Sequence, residues 1–271
     1  MSHALSLHHV TVMEATPPEV IAIAAELGLA NVCLFTCITP DAASYFPVDW
    51  SPAARKETAT RCADLGVRVH NLEWFDVTRE DNADFHRRGL ELGASLGART
   101  ATTHVVVNDP AEAGDRFAAF CDLAAEYGIA PSIEFTPLIG TPDLPSTLDV
   151  IGRANRPNGG ISLDVLHLFR SGGTPYDVRA IAPGIIRSMQ ISDGPMGTAT
   201  DLAAYGDETM FQRMIPGEGE FPLAEILSIV PADIIIDVEV PLRAHQQRGL
   251  NALERARLAV DGARSLLKEF T

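Results

Sequence analysis

Short apolar runs alternate with longer amphipathic segments along the whole chain, and this pattern predicts strands alternating with helices. The predicted strands span residues 5–12, 31–35, 67–75, 98–107, 129–135, 160–165, 185–191 and 234–240. The predicted helices span residues 16–28, 51–66, 82–96, 109–128, 146–154, 174–181, 222–230 and 246–270. This order predicts an α/β fold, a single (β/α)8 TIM barrel, for which a length of 271 residues is typical. No Ser- or Gly-rich linker divides the pattern, so residues 1–271 are expected to form one domain.

Four of the predicted strands end in a side chain that can bind a metal through oxygen. These side chains are Glu134, Asp164, Gln190 and Glu239. Burying several unpaired carboxylates together is unfavourable, and a shared divalent cation would compensate their charge. The oxygen ligands favour Mn²⁺ or Mg²⁺, with Co²⁺ or Zn²⁺ tolerated. The pattern therefore predicts a metal site at the carboxyl ends of the strands; the alternative for each residue alone is a hydrogen-bonded polar group at a strand end.

Two connections that follow strands are longer than the usual few residues. They span residues 36–50 and 192–221, on the face where such barrels keep their active sites. The second contains the run Arg213-Met-Ile-Pro-Gly-Glu-Gly-Glu220, whose glycines permit a tight path. We expect this second connection to cover the substrate; the alternative is a surface loop without that role.

Composition and charge exclude several classes of function. The formal net charge is −15 and the pI is near 4.8, whereas binding to a phosphate backbone needs clustered Lys and Arg. No Walker or dinucleotide-binding glycine motif occurs, and no run approaches the roughly 20 apolar residues of a membrane helix. The N-terminal residues carry no basic, cleavable signal. We therefore expect a small-molecule substrate, no nucleic-acid or membrane partner, and a cytoplasmic location.

The four cysteines are expected to be reduced and mostly buried. They are Cys33, Cys37, Cys62 and Cys121. Cys33 and Cys37 lie four residues apart near a predicted strand end, but no second pair of Cys or His residues completes a zinc site. A disulfide or a zinc site is the alternative.

Five short motifs follow one another at the strand ends and in the long second connection. They are Ile133-Glu134, Leu163-Asp164-Val-Leu-His167, Gln190-Ile-Ser-Asp193, Pro216-Gly-Glu-Gly219 and Val238-Glu239. In this order they resemble the motifs of the xylose isomerase-like TIM barrels, the sugar phosphate isomerase/epimerase superfamily, whose members include sugar 3-epimerases, inosose dehydratase, 3-dehydroshikimate dehydratase and endonuclease IV. The resemblance implies one divalent ion bound by Glu134, Asp164, residue 190 and Glu239, with Gln190 standing where relatives usually have His.

The resemblance implies an isomerase or epimerase of a sugar, sugar phosphate or cyclitol. The mechanism would be proton abstraction next to a metal-bound carbonyl, through an enediolate stabilised by the metal as Lewis acid. Glu134 and Glu239 would move protons on opposite faces of the substrate. The alternative is a dehydratase of the 3-dehydroshikimate or inosose type, for which His167 is the candidate acid. A minor alternative is a sugar-binding barrel without catalysis.

Five further residues are candidates for binding the substrate. Trp74 could form an apolar wall, and Arg170 could bind a carboxylate or phosphate or form a salt bridge within its loop. Arg213 matches an arginine that relatives aim at the substrate. His70 and His104 are placed at the ends of strands three and four. These two histidines also fit the zinc cluster of endonuclease IV, but the absence of His at position 190 and the acidic charge argue against that reading.

By analogy with relatives, a homodimer or homotetramer is expected.

Overall fold

A closed barrel of eight parallel strands forms the centre of the protein. The computed structural model describes residues 3–38, 45–78, 80 and 82–268. Each strand pairs with the next in the sequence and the last pairs with the first, which confirms the predicted (β/α)8 barrel. The strands are β1 (Leu5–His8), β2 (Asn31–Phe35), β3 (Arg68–Val77), β4 (Thr100–Val105), β5 (Ala130–Glu134), β6 (Gly160–Asp164), β7 (Ile186–Ile191) and β8 (Ile236–Val238).

Helices connect the strands, and several begin where a polar side chain caps the first turn. Ser51, Asp109 and Asp143 each accept a hydrogen bond from the backbone N–H three residues later. No helix in the described ranges is long and apolar enough to cross a membrane. The helices are α1 (Pro17–Glu26), α2 (Pro52–Leu65), α3 (Ala83–Ser95), α4 (Pro110–Ala125), α5 (Leu144–Ala154), α6 (Val165–Arg170), α7 (Pro175–Arg179), α8 (Leu202–Phe211), α9 (Leu223–Ile229), α10 (Arg243–Gln247) and α11 (Ala252–Lys268).

Most strands differ from their predicted ranges by one to four residues, and two of these differences have a clear structural cause. The predicted first strand, residues 5–12, ends at His8, because the Nδ1 of His8 accepts the N–H of Val10 and the chain turns into a short 3₁₀ helix, His9–Val12. The third strand continues to Val77, beyond the predicted end at residue 75. A shift of register against β4 between Leu72 and Phe75 accommodates the longer strand.

Three helical segments also differ from the prediction. The short helix α6 follows β6 directly, and α8 lies within the predicted connection 192–221. The last predicted helix, residues 246–270, is divided at Gly249, whose φ of 96° ends α10 before α11 begins. Residues 269–270 of that range and residues 39–44 of the predicted connection 36–50 lie outside the described residues.

The four cysteines form no disulfide, as the sequence predicted. Cys33, Cys37 and Cys121 are buried, and Cys62 is half-buried. The short spacing of Cys33 and Cys37 therefore reflects two thiols packed near the end of β2 rather than a covalent link.

Two layers of polar side chains occupy the interior of the barrel at β5, β6 and β7. Because inward-facing positions recur every second residue, a serine precedes each chemically active side chain by two positions. The Oγ of Ser188 lies 2.9 Å from the Oγ of Ser162 and 3.4 Å from that of Ser132. Ser162 then donates to Oε1 of Gln190 at 3.0 Å. This hydroxyl layer supports the larger polar side chains above it.

Gly160, the first residue of β6, has no room for a side chain. A Cβ there would lie 2.4 Å from the carbonyl oxygen of Ile185. We expect Gly160→Ala to lower the free energy of unfolding by about 1–3 kcal/mol, measured by urea denaturation. Gly152→Ala is the matched control, because this exposed position in α5 has nothing within 4 Å and Ala favours a helix by about 0.5–1 kcal/mol. Equal stabilities of the two variants would contradict the close approach of β6 and β7.

Candidate functional site

Three of the predicted site residues converge at the ends of β5 and β6. Glu134 and Asp164 are the last residues of their strands, and His167 lies in the α6 helix that follows Asp164. The Oδ1 of Asp164 accepts the backbone N–H groups of Leu166 at 2.7 Å and His167 at 3.1 Å. Asp164 thereby caps α6 and fixes His167 beside the strand end. One potential ligand atom from each of the three residues lies within 4.8 Å of the others.

Arg213 connects Asp164 to Glu239, the carboxylate that directly follows β8. Its guanidinium lies 2.6 Å from Oδ2 of Asp164 and 2.8 Å from Oε1 of Glu239. The side chain of Arg213 is only 1% exposed, so this is a buried cation between two buried carboxyl groups. Burial would lower the pKa of Arg213, but these two carboxylates hold it above its ordinary value.

Glu134 is held on its other side by a chain of three residues from β3 and β4. The Nε2 of His104 lies 2.7 Å from Oε2 of Glu134, and its Nδ1 lies 3.5 Å from Oδ1 of Asp76. The indole N–H of Trp74 donates to Oδ2 of Asp76 at 3.2 Å, and its ring packs 5.8 Å from the His104 ring. Burial would lower the pKa of His104, but its hydrogen bonds to Asp76 and Glu134 hold it well above the ordinary value. His104 thus presents a protonated ring to Glu134.

The two glutamates of the site have opposite electrostatic surroundings. Burial would raise the pKa of Glu134, but the hydrogen bond from His104 and the charges of His104 and Arg213 lower it to about 2. Burial raises the pKa of Glu239 to about 8, although Arg213 opposes this shift. One carboxyl group is therefore ionised and the other mostly protonated at neutral pH, which is the division of roles that acid–base chemistry requires.

The unpaired oxygens of these glutamates fit a divalent cation. Oε1 of Glu134 and Oε2 of Glu239 are buried and have no hydrogen-bond partner in the part of the chain that the structure describes. Burying a carboxylate oxygen without a partner is unfavourable, and such an oxygen is a preferred ligand of hard metal ions. The carboxylate oxygens of Glu134, Glu239 and Asp164 are donors of the type that Mn²⁺ or Mg²⁺ binds.

Gln190 is held by two hydrogen bonds within the barrel. Its Oε1 accepts from Ser162 at 3.0 Å, and its Nε2 donates to Oε1 of Glu73 at 3.3 Å. The amide is therefore oriented by its neighbours, and the second lone pair of its carbonyl oxygen is the one available to a cation.

His8, Cys33 and Glu73 form a second compact group beside Gln190, with candidate ligand atoms within 4.8 Å of one another. His8 is nevertheless a hydrogen-bond donor here. Its Nδ1 accepts the N–H of Val10, which leaves the proton on Nε2, 3.2 Å from Oε1 of Glu73. Glu73 in turn accepts from Nε2 of Gln190 at 3.3 Å, so this group fixes Glu73 and, through it, Gln190.

Two predicted substrate-binding residues lie apart from this cluster. His70 is the third residue of β3, near the start of the strand rather than its end, and its Nε2 lies 2.8 Å from Oδ1 of Asp237. Arg170 binds both carboxylate oxygens of Glu208 at 2.7 and 2.6 Å and donates to the carbonyl groups of Pro195 and Gly197. The guanidinium of Arg170 thus holds the segment after β7 in place through Pro195, Gly197 and Glu208.

Tyr205 is a site residue that sequence reasoning missed. Its hydroxyl lies 2.5 Å from Nδ1 of His167 and 2.8 Å from Oγ1 of Thr136. Tyr205 lies in α8, inside a connection that showed no helical pattern, so no sequence signal pointed to it. His8 and Glu73 did carry a signal, since each is an ionisable residue at a buried position of a strand.

The connection between β7 and α9 carries Arg213 and Tyr205 into the site, and Asp193 shapes its path. Oδ1 of Asp193 accepts the N–H groups of Gly194 and Phe221, and its Oδ2 accepts that of Gly217. A Cβ at Gly219 would lie 2.3 Å from Oδ1 of Asp193, which explains the second glycine of the Pro-Gly-Glu-Gly run. The motifs ending at Asp193 and Gly219 therefore form one packed unit.

The fold and this arrangement of strand-end carboxylates agree with a family assignment by sequence. Residues 21–268 match the family described as xylose isomerase-like TIM barrel, and the chain belongs to that family. Members of this superfamily are enzymes, among them epimerases and dehydratases.

The curated relatives that match are both 3-dehydroshikimate dehydratases. The protein from Pseudomonas aeruginosa is 26% identical over 271 residues, which cover 94% of this chain and 40% of that protein. The protein from Bacillus anthracis is 38% identical over 63 residues, covering 23% of this chain and 22% of that protein. This chain thus aligns with less than half the length of either relative.

Solved structures share the fold at low sequence identity. The IOLI protein, solved with a zinc atom, has a TM-score of 0.79 at 16% identity and is covered over 99% of its length, with 100% of this chain covered. An L-ribulose 3-epimerase has a TM-score of 0.69 at 15% identity, with 98% of this chain and 95% of that one covered. At 15–16% sequence identity, the similarity to these two structures shows a shared fold and nothing further.

Replacing Arg213 with Met tests the buried ion-pair arrangement. We expect a loss of about 3–5 kcal/mol in the free energy of unfolding, because Asp164 and Glu239 remain buried without their cation. The measurement is urea denaturation with excess chelator, at about pH 8 and about pH 5. The loss should be smaller at the lower pH, because there Glu239, whose pKa burial raises to about 8, is protonated in both proteins and only Asp164 has a charge for Arg213 to neutralise.

Arg179→Met is the matched control for that experiment. Arg179 is 62% exposed and lies 3.5 Å from Glu225, so its loss should cost no more than about 1 kcal/mol at either pH. Arg213→Met behaving like this control would show that the guanidinium does not neutralise the two carboxylates.

Proposed function

We propose that this protein is a metal-dependent lyase that eliminates water from a small hydroxy-keto acid or cyclitol after removing a proton next to its carbonyl group. The observation that carries the proposal is that Glu134, with a low pKa and one unpartnered oxygen, lies beside His167, whose Nδ1 bonds to the Tyr205 hydroxyl, while Glu239 has the other unpartnered oxygen. A divalent cation, Mn²⁺ or Mg²⁺ for such oxygen donors, would be held by these glutamates, Asp164 and the carbonyl of Gln190, and would polarise the substrate carbonyl as a Lewis acid.

Glu134 is suited to be the base that removes the proton. Its low pKa keeps it ionised, and His104 holds Oε2 at 2.7 Å while Oε1 is left without a partner. A base that is fixed through one oxygen loses less orientational freedom when the other accepts a proton.

His167 is suited to protonate the leaving hydroxyl group. Its Nε2 faces the carboxylates of Glu134 and Asp164, and its Nδ1 bonds to Tyr205. When the Tyr205 hydroxyl donates to Nδ1, the neutral ring carries its proton on Nε2. As Nε2 gives that proton to the substrate, Nδ1 takes up the hydroxyl proton of Tyr205, whose oxygen lies 2.8 Å from Oγ1 of Thr136, so the ring stays neutral. In the elimination the C–H proton passes to Glu134, the C–O bond breaks, and the hydroxyl takes the proton of His167 to leave as water.

The curated relatives support the dehydratase over the other outcomes. Both matching relatives are 3-dehydroshikimate dehydratases, and one alignment extends over 94% of this chain. The buried acid chain from His167 to Tyr205 is the feature that an elimination needs and that a simple epimerisation does not.

Epimerisation or isomerisation of a sugar or cyclitol is the second candidate, and the pair of glutamates favours it. With Glu134 ionised and Glu239 mostly protonated, one could remove a proton while the other returns one. In that case His167 would bind a substrate hydroxyl group instead of expelling it.

Metal content is the first measurement, by elemental analysis of the purified protein. We expect about one Mn or Mg ion per chain, lost in Glu239→Gln because that oxygen donor becomes a weaker amide. Glu225→Gln, at an exposed glutamate on α9, is the control and should keep the metal. Absence of bound metal after reconstitution of the wild-type protein would overturn the metal-dependent mechanism.

The reaction class is tested by incubating the metal-loaded protein with dehydroshikimate-like acids, cyclitols and ketoses. A dehydratase gives new ultraviolet absorbance from a conjugated product, whereas an epimerase or isomerase gives deuterium incorporation at one carbon without loss of water. Absorbance with an acid or cyclitol supports the main proposal; exchange without absorbance supports the second. Tight binding of a sugar without either signal would leave a non-catalytic sugar-binding barrel.

Tyr205→Phe tests the acid role of His167. Loss of the hydroxyl removes the partner of Nδ1, so we expect kcat to fall about 10²-fold while KM changes little. The proton position on His167, followed by ¹⁵N NMR, should become mixed between the two ring nitrogens. Tyr176→Phe, at a residue 79% exposed, is the control. An unchanged kcat in Tyr205→Phe would remove His167 from the acid role.

A further inference from the structure

A small cavity lies at the opposite end of the barrel, where the strands begin. Its volume is about 230 Å³, and it is lined by the first residues of β3 and β4, by β7 and by the segment that enters β8. Its walls include three arginines, Arg68, Arg99 and Arg187, together with His70 and Asp233. This cavity is separate from the candidate active site, which lies at the carboxyl ends of the strands.

The three arginines are available to a ligand. Most arginines in the described ranges form ion pairs, but none of these three pairs with a described carboxylate. Arg68 donates to Oδ1 of Asn31 at 3.1 Å, and Arg187 donates to the carbonyl of Pro157 at 2.7 Å. The Nε of Arg187 has no partner among the described residues. Since each guanidinium carries five N–H donors, several remain for an anion.

The local charge contrasts with that of the whole chain. In a protein with a net charge of −15, three arginines surround one small space with Asp233 as the carboxylate in its wall. Asp237 lies behind His70, whose Nε2 is 2.8 Å from Oδ1, and its other oxygen accepts from Asn71 at 3.3 Å. The charge of Asp237 is thus engaged, and an excess of positive charge faces the cavity.

We propose that this cavity binds a small anion that carries a phosphate or carboxylate group, held by Arg68, Arg99 and Arg187. The planar guanidinium matches both groups with paired N–H donors. A volume of about 230 Å³ accommodates one such group with a few attached atoms but excludes a nucleotide chain. His70, expected from the sequence to contact substrate, forms part of the cavity wall and connects it to Asp237.

Isothermal titration with inorganic phosphate and, separately, malonate tests this site, at constant ionic strength set with chloride. We expect saturable binding of at least one of them to the wild-type protein, weakened at least about tenfold in Arg99→Gln and lost in the double variant Arg68→Gln/Arg99→Gln. Arg68 and Arg99 are exposed, so these variants should keep the wild-type Tm. Arg179→Gln, at a distant exposed arginine, should bind like the wild type.

Glu239→Gln separates this cavity from the active site. Binding that persists in Glu239→Gln and disappears in the double arginine variant supports the cavity at the start of the strands. Binding that is lost in Glu239→Gln, or retained in the double variant, overturns the proposal, as does the absence of saturable binding of both anions. A preference for phosphate over malonate, or the reverse, identifies which anionic group the arginines select.

Discussion

The buried guanidinium of Arg213 is the interaction on which the site depends. It lies between Asp164 at the end of β6 and Glu239 just after β8, and it comes from the segment that crosses over the barrel after β7. Without a cation there, two carboxylates would face each other in a dry environment, and one of them would have to be protonated. Arg213 therefore joins three separate parts of the chain and ties the crossing segment to the strand ends.

The chemical difference between the two glutamates comes from their neighbours and not from the residues themselves. Glu134 has a protonated His104 beside it, whereas Glu239 is desolvated and shares its cation with Asp164. The same residue type thus has opposite pKa shifts at the two places, because β4 provides a protonated histidine beside Glu134 only. In the proposed elimination the additional proton donor is His167, and α8 provides its hydroxyl partner, Tyr205.

The barrel and the strand-end carboxylates could be predicted because both follow from simple periodicity. Alternation along β5 and β6 places Glu134 and Asp164 inward, and the ordered strand–helix units leave little choice of fold. The locations of His70 and Tyr205 could not be predicted. β3 runs from Arg68 to Val77, so His70 lies near its start although it was expected at its end. Tyr205 reaches the site only through the packing of a helix within a long connection. Such positions depend on tertiary contacts that local sequence does not specify.

The ladder of serine hydroxyls beneath the site has a consequence for how the barrel responds to a change of charge. Ser132, Ser162 and Ser188 are buried and linked to one another, and each hydroxyl can turn about its C–O bond to reverse the direction of its dipole. When a proton moves above them, these dipoles can reorient without any movement of the backbone. The interior therefore has a higher local permittivity than an apolar barrel core, and the reorganisation energy of proton transfer is met by rotating hydroxyls within an otherwise rigid wall.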